Sequence, residues 1–281
     1  MPELPEVETI KLGLQKYLIG RKIIAIEARI PKLFIGRKED VIGAKIVDLK
    51  RIGKGLIIEL NNGFVLAVHL KMTGQLIYSD SKTKGLPLSA KVGGQTLPTK
   101  YSHIIITLDN NSFLYYNDLR QFGWVKVVKK DELMQIPLFR DMGPEPFKDL
   151  TLEKFRDIVL KSNLTIKVLL MDQKRIGGIG NIYANDALFK AKIDPRRKGK
   201  TLTEEEIKNL YEAIFFVLRK SLEYGGSSDE NFVNALGQEG NYQKHALVYG
   251  KKGEKCPVCG GIIQKIKLGG RGTFFCSKCQ K

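Results

Sequence analysis

The first 255 residues of this 281-residue chain contain no cysteine; all four, Cys256, Cys259, Cys276 and Cys279, fall in the last 26. A disulfide framework spreads its cysteines through the fold that it staples, so this crowding excludes one. No stretch approaches 18 consecutive apolar residues, which excludes a membrane-spanning helix. The opening Met1-Pro2-Glu3-Leu4-Pro5-Glu6 is acidic and lacks the cationic-then-apolar layout of a secretory signal, so a cytosolic location is expected. Internal repeats and low-complexity tracts are absent. Acid is also scarce: 47 Lys+Arg stand against 30 Asp+Glu, giving a net charge of +17. The imbalance is uneven. Residues 1–130 hold 21 basic and 11 acidic side chains, residues 131–243 hold 17 and 18, and residues 244–281 hold nine and one. With 43% hydrophobic residues the chain builds a core, so the excess charge points to a polyanionic partner, nucleic acid ahead of a membrane surface.

At about 150 residues per domain, the length suggests two domains and a small appendage. Residues 5–18 carry Val7, Ile10, Leu14 and Leu18 at helical spacing, stopped by Gly20. Short β-branched or aromatic runs follow at Lys22–Arg29, Lys45–Leu49, Leu56–Leu60, Phe64–Leu70, His103–Leu108, Phe113–Asn117 and Gly123–Val128. Seven such strands suggest a β-sandwich or barrel. Residues 79–100 are polar and read as a long loop. After the proline-rich Asp141–Lys148 the period turns helical, with helices expected at Leu152–Leu160, Ile166–Met171, Ile182–Lys190 and Thr203–Tyr224. Thr203 and Glu206 form a capping-box start for the last, and Gly225-Gly226-Ser227-Ser228 opens a polar loop to about residue 243. The expected class is α+β.

The cysteines are spaced two residues apart within each pair and sixteen between pairs. That fits a zinc ribbon whose two knuckles present four thiolates tetrahedrally. A thioredoxin-like redox pair or an iron site are the rivals; redox chemistry needs only one Cys-x-x-Cys in a βαβ setting, which is missing.

Other positions carry chemistry less specifically. Removal of Met1 would expose Pro2 as a secondary amine. An α-amino group titrates near pH 8 and can attack a sugar C1′ to form an iminium, with Glu3 beside it to handle protons. Lys54, in a Gly53-Lys54-Gly55 turn, reads alone as a solvated surface lysine. His69 and Met72 read alone as a core histidine and a gap-filler. Arg120 and Phe122 lie two apart, so on an extended segment both project to one side, as a wedge or as an ordinary strand pair. Gly177-Gly178-Ile179-Gly180 lacks the preceding strand and the spacing of a dinucleotide fingerprint. It reads as a helix-ending turn or as amides aimed at a phosphate. Arg271, between glycines Gly270 and Gly272, can approach a polyanion closely.

Taken together, MPELPEVETI, the GIGNIYANDALFKAKIDP stretch ending at Pro195 and the terminal four-cysteine ribbon resemble the formamidopyrimidine-DNA glycosylase family along the whole chain. The PELPE opening sets it apart from the related endonuclease VIII group, which opens PEGPE. The resemblance implies an N-terminal β-sandwich with its helix (1–130), a linker (131–148), a helix–two-turns–helix domain (149–243) whose 225–243 loop caps the lesion, and a zinc ribbon (244–281). It implies Pro2 as nucleophile, Glu3 as acid/base partner, Glu6 beside the lesion pocket and Lys54 on the phosphate next to the lesion. By the same resemblance His69, Asn181 and Arg271 contact the DNA backbone, while Met72, Arg120 and Phe122 fill the gap left by the extruded nucleotide; Lys167, near Asn181 in the chain, is read as added charge. The implied activity is a bifunctional glycosylase/AP lyase for oxidised purines such as 8-oxoguanine and formamidopyrimidines. Its alternatives are an endonuclease VIII-like preference for oxidised pyrimidines, or a zinc-ribbon protein that binds damaged DNA without turnover. One structural Zn2+ through Cys256, Cys259, Cys276 and Cys279, duplex DNA as partner, no membrane, a monomer, and a bacterial cytoplasmic location at the nucleoid complete the expectation. Two departures stand out: Asp229-Glu230-Asn231-Phe232 replaces the apolar residue or threonine, then arginine, of the family, and the 79–100 loop is longer.

Overall fold

Val7, Ile10, Leu14 and Leu18 share one face of helix α1 (Leu4–Leu18), and that face is fully buried in the computed structural model, which describes residues 1–281. Burial of each such side chain contributes about 1.5–3 kcal/mol. Nine strands follow: β1 (Ile23–Ala28), β2 (Phe34–Ile35), β3 (Ile46–Ile52), β4 (Gly55–Leu60), β5 (Phe64–His69), β6 (Gly74–Ser79), β7 (Ser102–Leu108), β8 (Phe113–Asp118) and β9 (Trp124–Lys129). They form two sheets, ordered β1-β7-β8-β6 and β2-β9-β5-β4-β3, whose inward residues pack with α1 into one core.

All seven expected strands are present, and β2 and β6 are additional. Alternation hides β6 because both its faces are covered. Leu76 and Tyr78 point into the core, while Ile77 packs outward against Val92 and Val233. Strand β4 is buried on both faces for a similar reason: Leu56, Ile58 and Leu60 face inward, and Ile57 lies under Leu133, Ile136 and Phe139, the last in the short helix α2 (Pro137–Arg140).

The chain divides into two compact units, Met1–Arg140 with Tyr224–Asn241, and Asp141–Glu223 with Tyr242–Lys281. The second holds α3 (Leu152–Leu160), α4 (Ile166–Met171), α5 (Asn181–Lys190), α6 (Glu204–Glu223) and the hairpin β10 (Gln264–Leu268) and β11 (Arg271–Phe275). Thr203 and Glu206 cap α6 reciprocally, at 2.8 and 3.2 Å. Residues 225–240 leave and rejoin at a neck closed by the Asn241 N–H on the Tyr224 carbonyl (2.9 Å). This segment belongs to the first unit: Phe232 and Ala235 lie in the sandwich core, and the Ala235 carbonyl accepts the Tyr78 N–H at 2.8 Å.

Candidate active site and metal centre

Pro2, Glu3 and Glu6 are all buried at the start of α1. Glu6 occupies the third position of that helix, where a carboxylate meets the positive end of the helix dipole. One of its oxygens accepts the Glu3 N–H (2.8 Å) and the other the Ser227 N–H (2.8 Å), so one carboxylate ties the amino terminus to the 225–240 segment. The tie needs Gly226, whose φ is +86° and where a Cβ would lie 2.8 Å from the Phe232 ring. Further out, the Met1 ammonium lies 2.6 Å from Glu230, which brings the departing Asp229-Glu230 tip to the chain end. Phe232, by contrast, is buried in the sandwich core.

Lys54 sits in the two-residue turn joining β3 to β4, with Gly53 at φ +57°, the conformation such hairpins demand. Arg51 braces this turn, donating to the Gly53 carbonyl (2.9 Å) and to Glu8 on α1 (2.8 Å). Burial pushes the Glu8 carboxyl upward, but its pairing with Lys11 and Arg51 outweighs that and holds it below the usual range. Lys54 precedes Gly55, which pairs with His69 across β4 and β5, so lysine and histidine are neighbours by register.

His69 is buried, and its Nδ1 accepts the Lys71 N–H at 2.9 Å, which leaves the neutral ring's proton on Nε2. Burial, reinforced by the Lys71 and Lys54 charges, lowers its pKa from 6.5 to about 3. A neutral donor fixed in one tautomer suits a phosphate oxygen. It also has a stability consequence. Because the folded pKa lies below the unfolded one, this stabilisation is complete above pH 6.5 and is lost as pH falls toward 3. Lowering pH from 7.5 to 5 is expected to cost about 2 kcal/mol through this residue. Urea unfolding at the two pH values checks it: His69→Gln should flatten the difference, and an unchanged slope in that variant would assign the loss elsewhere.

Met72, Arg120 and Phe122 come from two loops that share one fastening. The fully buried Asp118 accepts Thr73 Oγ1 (2.5 Å), the Arg120 N–H (3.2 Å) and the Gly123 N–H (2.8 Å), and Thr73 Oγ1 accepts the Arg120 N–H (2.9 Å). The expected extended arrangement of Arg120 and Phe122 is corrected here: Gln121 between them is left-handed (φ +56°), so a turn brings them together. The Arg120 guanidinium lies 4.7 Å over the Phe122 ring, and the ring is 56% exposed. Lys71, beside Met72, is left-handed too (φ +51°). Two such residues in fastened loops mark a built display, since each costs about 1–3 kcal/mol. Thr73 and Asp118 were missed as positioning groups; short polar residues at loop edges between apolar strands were the available signal.

In the second unit, Asn181 opens α5 after Gly180, which supplies no side-chain cap. Asn185, one turn on, donates to the Asn181 carbonyl (2.6 Å) and accepts the Phe274 N–H of β11 (2.7 Å), stitching α5 to the hairpin. Gly269-Gly270 alone form the hairpin turn; Arg271 is exposed at the first position of β11, paired with Leu268, rather than in a wider tip. Lys167 is no surface charge: fully buried, it donates to the Gly272 carbonyl (3.0 Å) and Thr273 Oγ1 (2.7 Å). Asp186, also unforeseen, accepts from Tyr242 and from the amides of Leu247, Val248 and Tyr249 at 2.8–3.0 Å. Burial raises its pKa against the pull of those bonds.

The ligand atoms of Cys256, Cys259, Cys276 and Cys279 all lie within 4.8 Å of one another, with Sγ pairs at 3.7 and 3.5 Å. Four sulfurs about 2.3 Å from one zinc stand about 3.8 Å apart, so the donor set fits a single tetrahedral Zn2+. A closed thiolate shell gives the ion a structural role.

Family comparisons agree with this layout. The model of the formamidopyrimidine-DNA glycosylase N-terminal domain matches residues 1–125, that of its H2TH domain 142–233, and that of a zinc finger found in FPG and IleRS 253–281. The chain belongs to the formamidopyrimidine-DNA glycosylase family. A formamidopyrimidine-DNA glycosylase of Pelotomaculum thermopropionicum is 40% identical over 287 residues, covering 100% of this chain and 99% of the relative. Among solved structures, wild-type Lactococcus lactis Fpg bound to DNA containing N7-benzyl-Fapy-dG superposes with a TM-score of 0.87 at 38% identity, covering 100% of both chains. Lactococcus lactis Fpg with abasic-site DNA gives 0.87 at 37%, covering 99% of each. As a member of this glycosylase family the chain is an enzyme, and no helix in it is long and apolar enough to cross a membrane.

Proposed function

We propose that this protein removes oxidised purines, 8-oxoguanine and formamidopyrimidines, from duplex DNA and then cleaves the strand at the resulting abasic sugar. The single observation that carries the reading is the amino terminus: Pro2 is buried beside Glu3 and Glu6, and Glu6 is fastened to the 225–240 segment. With Met1 removed, the Pro2 nitrogen attacks C1′, the bond from C1′ to the base breaks, and the base leaves with a proton. Opening of the sugar ring, O4′ taking a proton, gives an iminium. Loss of a C2′ proton then expels the 3′ phosphate, a second elimination expels the 5′ phosphate, and hydrolysis returns the amine. Glu3 is the acid/base group nearest the amine in sequence.

The sugar carbon is inaccessible in stacked DNA, so the nucleotide must be extruded. Met72, Arg120 and Phe122 fill the space it leaves, Lys54 and His69 hold phosphates, and residues 225–241 close over the base. In the second unit Asn181 and Arg271 hold the backbone. The relatives' name and the abasic-site DNA in one homologous complex support both activities.

Borohydride trapping on duplexes carrying 8-oxoguanine, thymine glycol or an abasic site tests this. Adducts are expected with 8-oxoguanine and the abasic site above thymine glycol. No adduct on any duplex would end the lyase reading. A dominant thymine glycol adduct would transfer the preference to oxidised pyrimidines, the outcome to which the acidic Asp229-Glu230 tip gives weight.

A further inference from the structure

The 79–100 segment, which is longer than the family resemblance leads one to expect, does not stand apart from the site. Its short turn Ala90–Val92 packs Val92 against Val233 on the outer face of β6, with Leu88 and Leu97 alongside. From that turn Lys91 reaches the 225–240 segment: its Nζ donates to the Ser228 carbonyl and lies 2.9 Å from a Glu239 carboxylate oxygen. Ser89, which caps the turn by accepting the Lys91 N–H, donates to the other Glu239 oxygen at 2.6 Å. Gln75 of β6, itself buried, donates to the carbonyls of both Lys91 (3.0 Å) and Asn231 (2.8 Å).

The result is a grip on two consecutive residues from opposite signs of charge. Glu6 accepts the Ser227 N–H, and Lys91 donates to the Ser228 carbonyl. Inside the segment, the Ser228 hydroxyl donates to the Phe232 carbonyl (2.8 Å) and accepts the Gly240 N–H (2.9 Å), so holding Ser228 holds the whole crossing. Glu6 acts from the helix that follows the proposed nucleophile; Lys91 acts from the 79–100 loop.

We infer that Lys91 is a positioning residue for base excision, which orders the 227–232 segment over an extruded damaged base and has no part in the chemistry at an abasic sugar. The inference rests on the function proposed above, in which that segment covers the base. An abasic site has no base to cover, so the two substrates separate positioning from catalysis and from folding. Its charge-assisted bond to a backbone carbonyl is of the stronger kind, and losing it removes the cation that joins the Ser228 carbonyl to the Glu239 carboxylate.

The experiment compares single-turnover base excision, on the duplex lesion that wild type excises fastest, with cleavage of a preformed abasic site, for wild type, Lys91→Met and Lys91→Arg. The expected result is a loss of about tenfold or more in base excision by Lys91→Met, abasic cleavage within about twofold of wild type, and recovery of most of the excision in Lys91→Arg. Equal loss on both substrates would make Lys91 merely structural, and no loss on either would dismiss it; both overturn the inference. Hydrogen exchange supplies a readout independent of turnover. Amides of residues 227–232 should exchange faster in Lys91→Met while α1 keeps its protection, and unchanged exchange there overturns the inference as well. A wild-type protein that excises no lesion would remove the proposed function, a result distinct from either of these.

Discussion

Pro2→Gly is expected to lower single-turnover base excision by about a hundredfold or more while leaving affinity for abasic-site DNA nearly unchanged. The size of the effect follows from the role. Glycine retains an amine at the terminus but gives up the secondary amine and the ring that locks the nitrogen against rotation about N–Cα, and with it the pre-set approach to C1′. Binding should survive because Lys54, His69, Arg120 and Phe122 are held by contacts that do not include Pro2: the Gly53 turn, the Lys71 amide and the Asp118 fastening. Trapping should fall in parallel with excision, since both pass through the same bond to C1′. Stopped single-turnover assays and a binding titration on the same preparations decide the matter. Wild-type excision by Pro2→Gly would move the nucleophile elsewhere, and lost affinity would show that the substitution disturbs α1 itself.

Metal removal is the second large effect. Stripping zinc with a chelator, or Cys259→Ser, is expected to unfold residues 251–281 and to weaken duplex binding by about a hundredfold or more at moderate salt. The hairpin cannot stand alone. In β10 no residue is buried, and the buried residues Cys256, Ile263, Phe274 and Cys276 share a small cluster with Phe189 and Val248, edged by Cys279. Structural zinc in such modules contributes about 10–16 kcal/mol, far more than that cluster supplies. The binding loss follows from charge: residues 244–281 carry nine basic side chains against one acid, and Arg271 is displayed by the hairpin. One zinc per chain by atomic absorption, and fluorescence anisotropy before and after chelation, check both halves. Unchanged affinity in the metal-free protein would make the ribbon dispensable for DNA.

The residues that declared themselves in sequence did so because their chemistry is local. A proline behind the initiator methionine, four cysteines at ribbon spacing and a Thr203-x-x-Glu206 cap each need only a few neighbours to have meaning. The seven strands found by composition and alternation are of the same kind. Strand β6 escaped because alternation requires one face in water, and the 79–100 segment covers its outer face. Arg120 and Phe122 were paired for the wrong reason: spacing assumed a pleat, whereas the left-handed Gln121 makes a turn that only Asp118 and Thr73 hold in place. Lys167 looked like spare positive charge and is a buried strut to the ribbon hairpin.

The sequence by itself determined the family, the metal ligands, the class of fold, and where the positive charge accumulates along the chain, since each is written in residue identity, spacing or count. Only the tertiary structure decided which groups hold the reactive ones still. Glu6 on the Ser227 amide, Lys91 on the Ser228 carbonyl and Asp118 across two loops are contacts between residues 221, 137 and 45 positions apart. No local pattern records such pairings, because a carboxylate or an ammonium finds a distant partner only when packing has brought the two together and displaced competing water.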